Sequence, residues 1–183
     1  MTTTVSAGEG VPLAAPSSFP GSFAGLSLDR PRLMAVINVT PDSFSDGGKA
    51  FAVADALRRG RELIAEGADI LDVGGESTRP GSDPVPVDEE IRRVVPVIEA
   101  LAAEGAVISI DPRRAEVMAA AADAGAKIIN DVSALRGEGS LQTAARLGLP
   151  VILMHMQGDP GTMQNNPTYD DVVADVRDHL LDR

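Results

Sequence analysis

The sequence predicts an α/β fold with a parallel sheet of the (β/α)8 TIM-barrel type, carried here by about five βα units. Three observations predict it. Five short apolar runs alternate with five stretches of helical period, glycines punctuate the returns from helix to strand, and a polar residue stands at the carboxyl end of every run: Asn38, Asp72, Asp111, Asn130 and His155. Alternating strands and helices require a parallel sheet, doubly wound or closed as a barrel. A doubly wound sheet gathers its ligand groups at one switch point, whereas a barrel rings its catalytic face with the ends of all its strands. The ring of five polar ends favours the barrel.

Taken in order, residues 1–30 are rich in Ala, Gly, Ser, Thr and Pro without an apolar period and read as a disordered or loosely attached leader, with Phe19 and Phe23 able to pin part of it down as a short strand. Residues 31–183 form the domain. Leu33 to Ile37 is continuously apolar and reads as a strand buried on both faces. Val53, Leu57, Gly60 and Ile64 mark the first helix, which Gly67 stops. Ile70 to Val73 is the second strand. Asp88, Glu89 and Glu90 cap and charge-complement the second helix, whose stripe is Ile91, Val94, Val95, Ile98 and Leu101, with a kink expected at Pro96. Ala106 to Ile110 is the third strand, Val117, Ala120, Ala121 and Ala124 the third helix, and Lys127 to Ile129 the fourth strand. A helix near Leu141 to Leu147 leads to the strand Pro150 to Met154, and Tyr169, Val172, Val173, Val176 and Leu180 open a fifth helix.

Bulk properties narrow the function. A net charge of −11 and a pI near 4.5 argue against a nucleic-acid partner, because phosphate backbones are held by Lys/Arg surfaces. Zero cysteines exclude disulfides, thiolate nucleophiles and Cys-ligated zinc. The apolar runs are too short to span a bilayer, no secretory signal pattern opens the chain, and a cytoplasmic protein is the expectation. His155 and His179 stand far apart in the chain, so a zinc site is not expected.

The richest stretch is the loop Asn38 to Gly48, which carries an amide, three hydroxyls and two carboxylates together with the aromatic Phe44. A connector needs far less. Asn38 has two readings: an amide satisfying backbone groups in a turn, or one oxygen on a Mg²⁺ ion held mainly by substrate phosphates. Asp72 shares a strand face with Ile70, and a carboxylate there is costly unless hydrogen-bonded, as a ligand or as a buried hub. Asp111-Pro112 reads either as an ordinary helix start or as a carboxylate accepting a pair of N–H donors from a heteroaromatic ring. Asn130-Asp131 would add a donor and an acceptor to the same floor. Thr78-Arg79-Pro80 is either a solvated loop or an anion clamp. Met154 reads as pocket or core wall, and Met163 with Gln164 closes the same loop.

Five segments together resemble dihydropteroate synthase: Asn38-Val-Thr-Pro-Asp-Ser-Phe-Ser-Asp-Gly-Gly48, Asp72-Val-Gly-Gly-Glu-Ser-Thr-Arg-Pro-Gly81, Ile110-Asp111, Ile129-Asn-Asp131, and Met154-His-Met-Gln-Gly158 with Thr162-Met-Gln164. They stand in the family's order from about Arg32 onward. The resemblance implies a barrel that condenses p-aminobenzoate with 6-hydroxymethyl-7,8-dihydropterin pyrophosphate to 7,8-dihydropteroate and pyrophosphate, and a homodimer in the full-length family member. It implies that Asn38 holds Mg²⁺ on the pyrophosphate and that Asp111, Asn130 and Met154, with Asp72, line the pterin site. Thr40, Pro41 and Phe44, together with Thr78, Arg79 and Pro80, would form the p-aminobenzoate pocket.

Two departures qualify the match. Pro112 stands where the family usually has threonine, and the family's later motifs, a pocket lysine and an Arg-x-His pair among them, are absent from this sequence. The expectation is therefore the N-terminal five-eighths of such an enzyme, poorly active alone. The rival expectations are a pterin-binding module of a methyltetrahydrofolate methyltransferase, against which Phe44 and Thr78-Arg79-Pro80 weigh, and a non-catalytic fragment that partners an intact subunit.

Overall fold

Runs of β-branched residues, Val36-Ile37, Val107-Ile108, Ile128-Ile129 and Val151-Ile152, favour the pleated, packed surface of a sheet and set strands where the sequence places them. The computed structural model describes residues 20–39, 49–76 and 85–183. A small antiparallel hairpin, β1 (Ser22–Phe23) and β2 (Leu26–Ser27), precedes the main sheet. That sheet consists of β3 (Met34–Asn38), β4 (Ile70–Gly74), β5 (Val107–Asp111), β6 (Ile128–Asp131) and β7 (Val151–Leu153). All neighbours are parallel and the spatial order is the chain order.

The intervening helices are α1 (Lys49–Ala65), α2 (Val87–Ala103), α3 (Ala115–Asp123) and α4 (Ser140–Leu147), with α5 (Val172–Leu181) after β7. α1 packs on α2, α2 on α3 and α3 on α4. Strands that advance without reversal under a continuous layer of helices follow the winding of a barrel wall, since a doubly wound sheet reverses its order at a switch point. The core lies between the sheet's outer face and these helices: Ile37, Leu71, Val73, Ile108, Ile110 and Ile129 meet Ala56, Val94, Val97, Ile98, Leu101 and Met118. The base of the wall is tied by Asp69, whose carboxylate accepts from Arg30 Nη1 at 3.0 Å, Arg32 Nη1 at 3.1 Å and the Leu33 N–H at 2.9 Å. Those bonds, led by Arg30, hold it well below the usual carboxylate range.

Several expectations shift in detail. β3 is not buried on both faces: Met34 and Val36 are exposed, because nothing described covers its inner face, and Leu33, just before the strand, is exposed as well. The stripe of α1 keeps Val53, Leu57 and Gly60 and adds Ala56 and Leu63, leaving Ile64 exposed. α2 takes Pro86 as N-cap and makes no side-chain cap, so its acidic first turn acts on the helix dipole instead. The helix also continues through the exposed Pro96. Val172 and Val173 of α5 are exposed rather than core, although Asp171 caps that helix by accepting from the Val173 and Ala174 N–H groups at 3.0 Å.

Gly125 links α3 to β6 at φ 111°, and a Cβ there would stand 2.9 Å from the Ala102 Cβ of α2. Both the backbone conformation and the close helix approach require glycine. Gly125→Ala is expected to destabilise the chain by about 1–3 kcal/mol in urea denaturation, from strain and overpacking together; an unchanged midpoint would contradict this packing.

Candidate functional site

In a strand every second side chain shares a face, and in-register parallel pairing carries that alternation across the sheet. Val36, Asp72 and Ser109 are register partners, as are Asn38, Gly74 and Asp111 one step closer to the carboxyl ends. Asn130 pairs with Ile152 on the far side. Asn38, Asp72, Asp111 and Asn130 therefore lie on the inner face, opposite the core, at the carboxyl ends of four successive strands.

The contacts confirm the placement. Asn130 Nδ2 donates to Asp72 Oδ2 at 3.0 Å, spanning from β6 over β5 to β4. Burial pushes the Asp72 carboxyl upward, with the Ser109 hydroxyl and the Asn130 amide opposing it. Gly74 has no side chain between its register neighbours: a Cβ there would lie 3.5 Å from Asn38 Oδ1 and 3.8 Å from Asp111 Oδ2. Such a Cβ would sit in ordinary contact with both, so Asn38 and Asp111 flank the same spot above Gly74.

Asp111 decides between its two readings. It ends β5, and α3 begins only at Ala115 with Arg114 as N-cap, so Asp111 does not cap the helix. Its Oδ1 is buried without a hydrogen-bond partner among the described residues. Burial, then the charges of Asp72, Asp131 and Glu90, push its carboxyl up to about 7, with Arg113 opposing. An unpaired acceptor in an acidic, desolvated setting is suited to a ligand that brings two N–H donors or a positive charge.

Other expectations change. Asp131 does not join the floor: it lies on the opposite strand face, is fully buried, and accepts from the Ser133 N–H and hydroxyl at 2.7 Å and from the Leu135 N–H at 3.0 Å, folding the turn after β6. Met154 follows β7 half-buried. His155 and His179, distant in sequence, meet edge-on with ring centroids 4.8 Å apart, because α5 returns toward the end of β7. No group of three or more His, Asp or Glu that could cage a metal occurs among the described residues. Thr40, Pro41, Phe44, Thr78, Arg79 and Pro80 lie outside the described residues.

The structure adds a charged cluster behind the site. Glu76, just past β4, accepts from Arg113 Nη1 and Arg114 Nη2, both at 2.9 Å, and from the Val85 N–H at 3.1 Å. Arg114 Nη1 also donates to Glu90 Oε2 at 2.7 Å. Glu90, expected only as a charge at the start of α2, instead lies on the buried face of that helix with Val94, Val97, Ile98 and Leu101, at the i, i+4 spacing to Val94 that could have signalled it. Nothing in the sequence marks Arg113 and Arg114 as its partners.

The raised Asp111 carboxyl has a sign that can be measured. Between its ordinary 3.8 and about 7 the folded chain keeps a proton that the unfolded chain has lost, so this residue's contribution to stability falls as pH rises through that window. Asp111→Asn is expected to match the parent near pH 4 and to exceed it by up to about 4 kcal/mol above pH ~7.5, in urea denaturation across pH. A stability difference that does not vary with pH would contradict the buried, protonated carboxyl.

The pterin binding enzyme family matches residues 34–183. The chain is 51% identical over 159 residues to the dihydropteroate synthase of Escherichia coli K12, covering 86% of this chain and 56% of that one. Among solved structures it is similar to Xanthomonas albilineans dihydropteroate synthase with 4-aminobenzoic acid, at TM-score 0.77 and 55% identity, over 86% of this chain and 56% of that one. The same enzyme in complex with 7,8-dihydropteroate gives TM-score 0.73 and 51% identity over 87% and 56%. The chain spans a little over half the length of these relatives. With its parallel wall, its inner-face acids and this match over most of its length, the chain belongs to the pterin-binding enzyme family.

Proposed function

We propose that this chain forms the pterin-holding part of a dihydropteroate synthase, the transferase that condenses p-aminobenzoate with 6-hydroxymethyl-7,8-dihydropterin pyrophosphate in folate biosynthesis. The observation that carries the reading is the inner-face trio Asp72, Asp111 and Asn130, with Asp111 holding an unpaired buried oxygen. A pterin presents an aminopyrimidinone edge with adjacent N–H donors and a carbonyl. Asp111 would accept from that edge, while Asn130, oriented by Asp72, would supply an amide donor and acceptor; Met154 would lie against the flat ring face.

In the reaction the methylene C–O bond to pyrophosphate breaks, the amine nitrogen of p-aminobenzoate forms the new C–N bond, and that nitrogen loses its proton. The electron-rich pterin stabilises the developing cation, and the acidic floor of Asp72 and Asp111 favours positive charge on the ring. No nucleophilic side chain is required.

Mg²⁺ fits the donors present only as an ion held chiefly by substrate oxygens. Asn38 offers one exposed neutral oxygen at the mouth, beside the spot above Gly74, and Mg²⁺ commonly takes one or two protein oxygens with phosphate and water completing its shell. When bound, the ion would neutralise charge on the departing pyrophosphate. Thr40, Pro41, Phe44, Thr78, Arg79 and Pro80 would surround p-aminobenzoate; their motifs in the sequence support that role. No described helix is long and apolar enough to cross a membrane, and a cytoplasmic setting with a homodimeric whole enzyme is part of the proposal.

Fluorescence titration of the 183-residue chain with 6-hydroxymethylpterin tests the reading. Binding is expected, with Asp111→Asn weakening it by about tenfold or more, as loss of a charged acceptor for two N–H donors implies. Absence of pterin binding, or binding of methyltetrahydrofolate in its place, would overturn it.

A further inference from the structure

The cluster behind the site deepens that reading. Two carboxylates, Glu76 at 3% and Glu90 at 0% side-chain exposure, are withdrawn from water and met by the guanidiniums of Arg114, part-buried, and Arg113, which stays open to solvent. As a stabilising device this is a poor choice. Desolvating such groups costs several kcal/mol per ion, and apolar side chains of similar volume usually serve stability as well or better. Glu90 Oε1 is moreover buried with no hydrogen-bond partner among the described residues. Such a cluster fixes geometry more than it adds stability.

The geometry it fixes is next to Asp111. Pro112, buried and rigid in φ, is the sole residue between Asp111 and Arg113. Arg114 is a fork bridging Glu76, on the exit of β4, to Glu90, on α2. α2 grips the same exit a second time, through Arg93 Nη1 donating to the Gly75 carbonyl at 3.0 Å. Gly75 permits this approach, since a Cβ there would stand 2.8 Å from Val94 Cγ1 and 2.9 Å from Glu90 Cγ. Glu76, Arg113 and Arg114 thus lock the connection after β5 to the connection after β4, the two strand ends that present Asp111 and Gly74.

We propose that Glu76 and Arg114 are positioning residues for Asp111: the bridged cluster sets how the Asp111 carboxylate meets the N–H edge of a bound pterin, without itself touching the ligand. The inference rests on the pterin-binding reading. A planar fork is needed to hold two carboxylates at once, and lysine, a point charge, cannot replace it. Interaction through Asp111 implies that disturbing the cluster matters only while the Asp111 carboxylate is present.

The test is a double-mutant cycle on the 183-residue chain, with 6-hydroxymethylpterin as probe and thermal unfolding measured alongside. Glu76→Gln and, independently, Arg114→Lys are expected to weaken affinity about tenfold in the parent but less than about twofold in the Asp111→Asn background. Losses equal in both backgrounds, or losses that merely track a lowered Tm, would overturn the proposal. Amide hydrogen exchange of the unliganded chain gives a readout independent of pterin: Glu76→Gln should speed exchange at residues 111–115 by roughly tenfold and leave α1 unchanged. Where no variant or parent binds pterin, the function proposed above fails while exchange still decides the positioning role, and unaltered exchange at 111–115 overturns it.

Discussion

In-register parallel pairing is the constraint on which the rest of this structure depends. Because side chains alternate, a slip of one residue between β4 and β5 would turn Asp72 or Asp111 into the helix-packed core and bring Val73 or Ile110 to the inner face. The apolar set Leu71, Val73, Ile108 and Ile110 forbids that slip, since those side chains are wholly or almost wholly buried. The hydrophobic core therefore aims the carboxylates, although it contains none of their chemistry. Site and core are two faces of the same strands.

Concentrating acids on that inner face has an electrostatic cost, which the fold meets in three different ways. At Asp72 the Asn130 amide and the Ser109 hydroxyl offset part of the burial that still pushes its carboxyl upward. Asp131 turns away and spends its oxygens on backbone N–H groups of the next turn. For Glu76, burial pushes upward but the Val85 N–H and the two arginines outweigh it, leaving the carboxyl below its ordinary value. Asp111 has no such hydrogen bond among the described residues, only the opposing charge of Arg113, and its carboxyl is pushed up to about 7. Neighbouring acids are thus treated unevenly, and perturbed carboxylates of this kind are the ones to test for a ligand.

Much of this was legible in the chain. Strand and helix positions came through because apolar period is local; these strand boundaries moved by a residue or two, β5 at Val107–Asp111 against Ala106 to Ile110 and β6 at Ile128–Asp131 against Lys127 to Ile129, while the fifth helix starts at Val172 rather than Tyr169. That Asn38, Asp72, Asp111 and Asn130 gather on one face was legible because each stands at or near the end of an apolar run, and strand ends meet on one face in this class of sheet. The competing helix-cap reading of Asp111 was equally consistent with sequence. Only the observed start of α3 at Ala115 removed it.

The sequence by itself determined the alternation of strands and helices, the polar residue at each strand end and the motifs that align with pterin-binding enzymes, because these depend on residues close together in the chain. Tertiary structure alone decided the exposed inner face of β3, the turning away of Asp131, the meeting of His155 with His179 and the joining of Glu76, Glu90, Arg113 and Arg114. Each of these depends on which distant segments share a boundary. Charge pairing and burial have no period along a chain, so a buried glutamate and the arginine that neutralises it become partners only when three successive βα units are packed side by side.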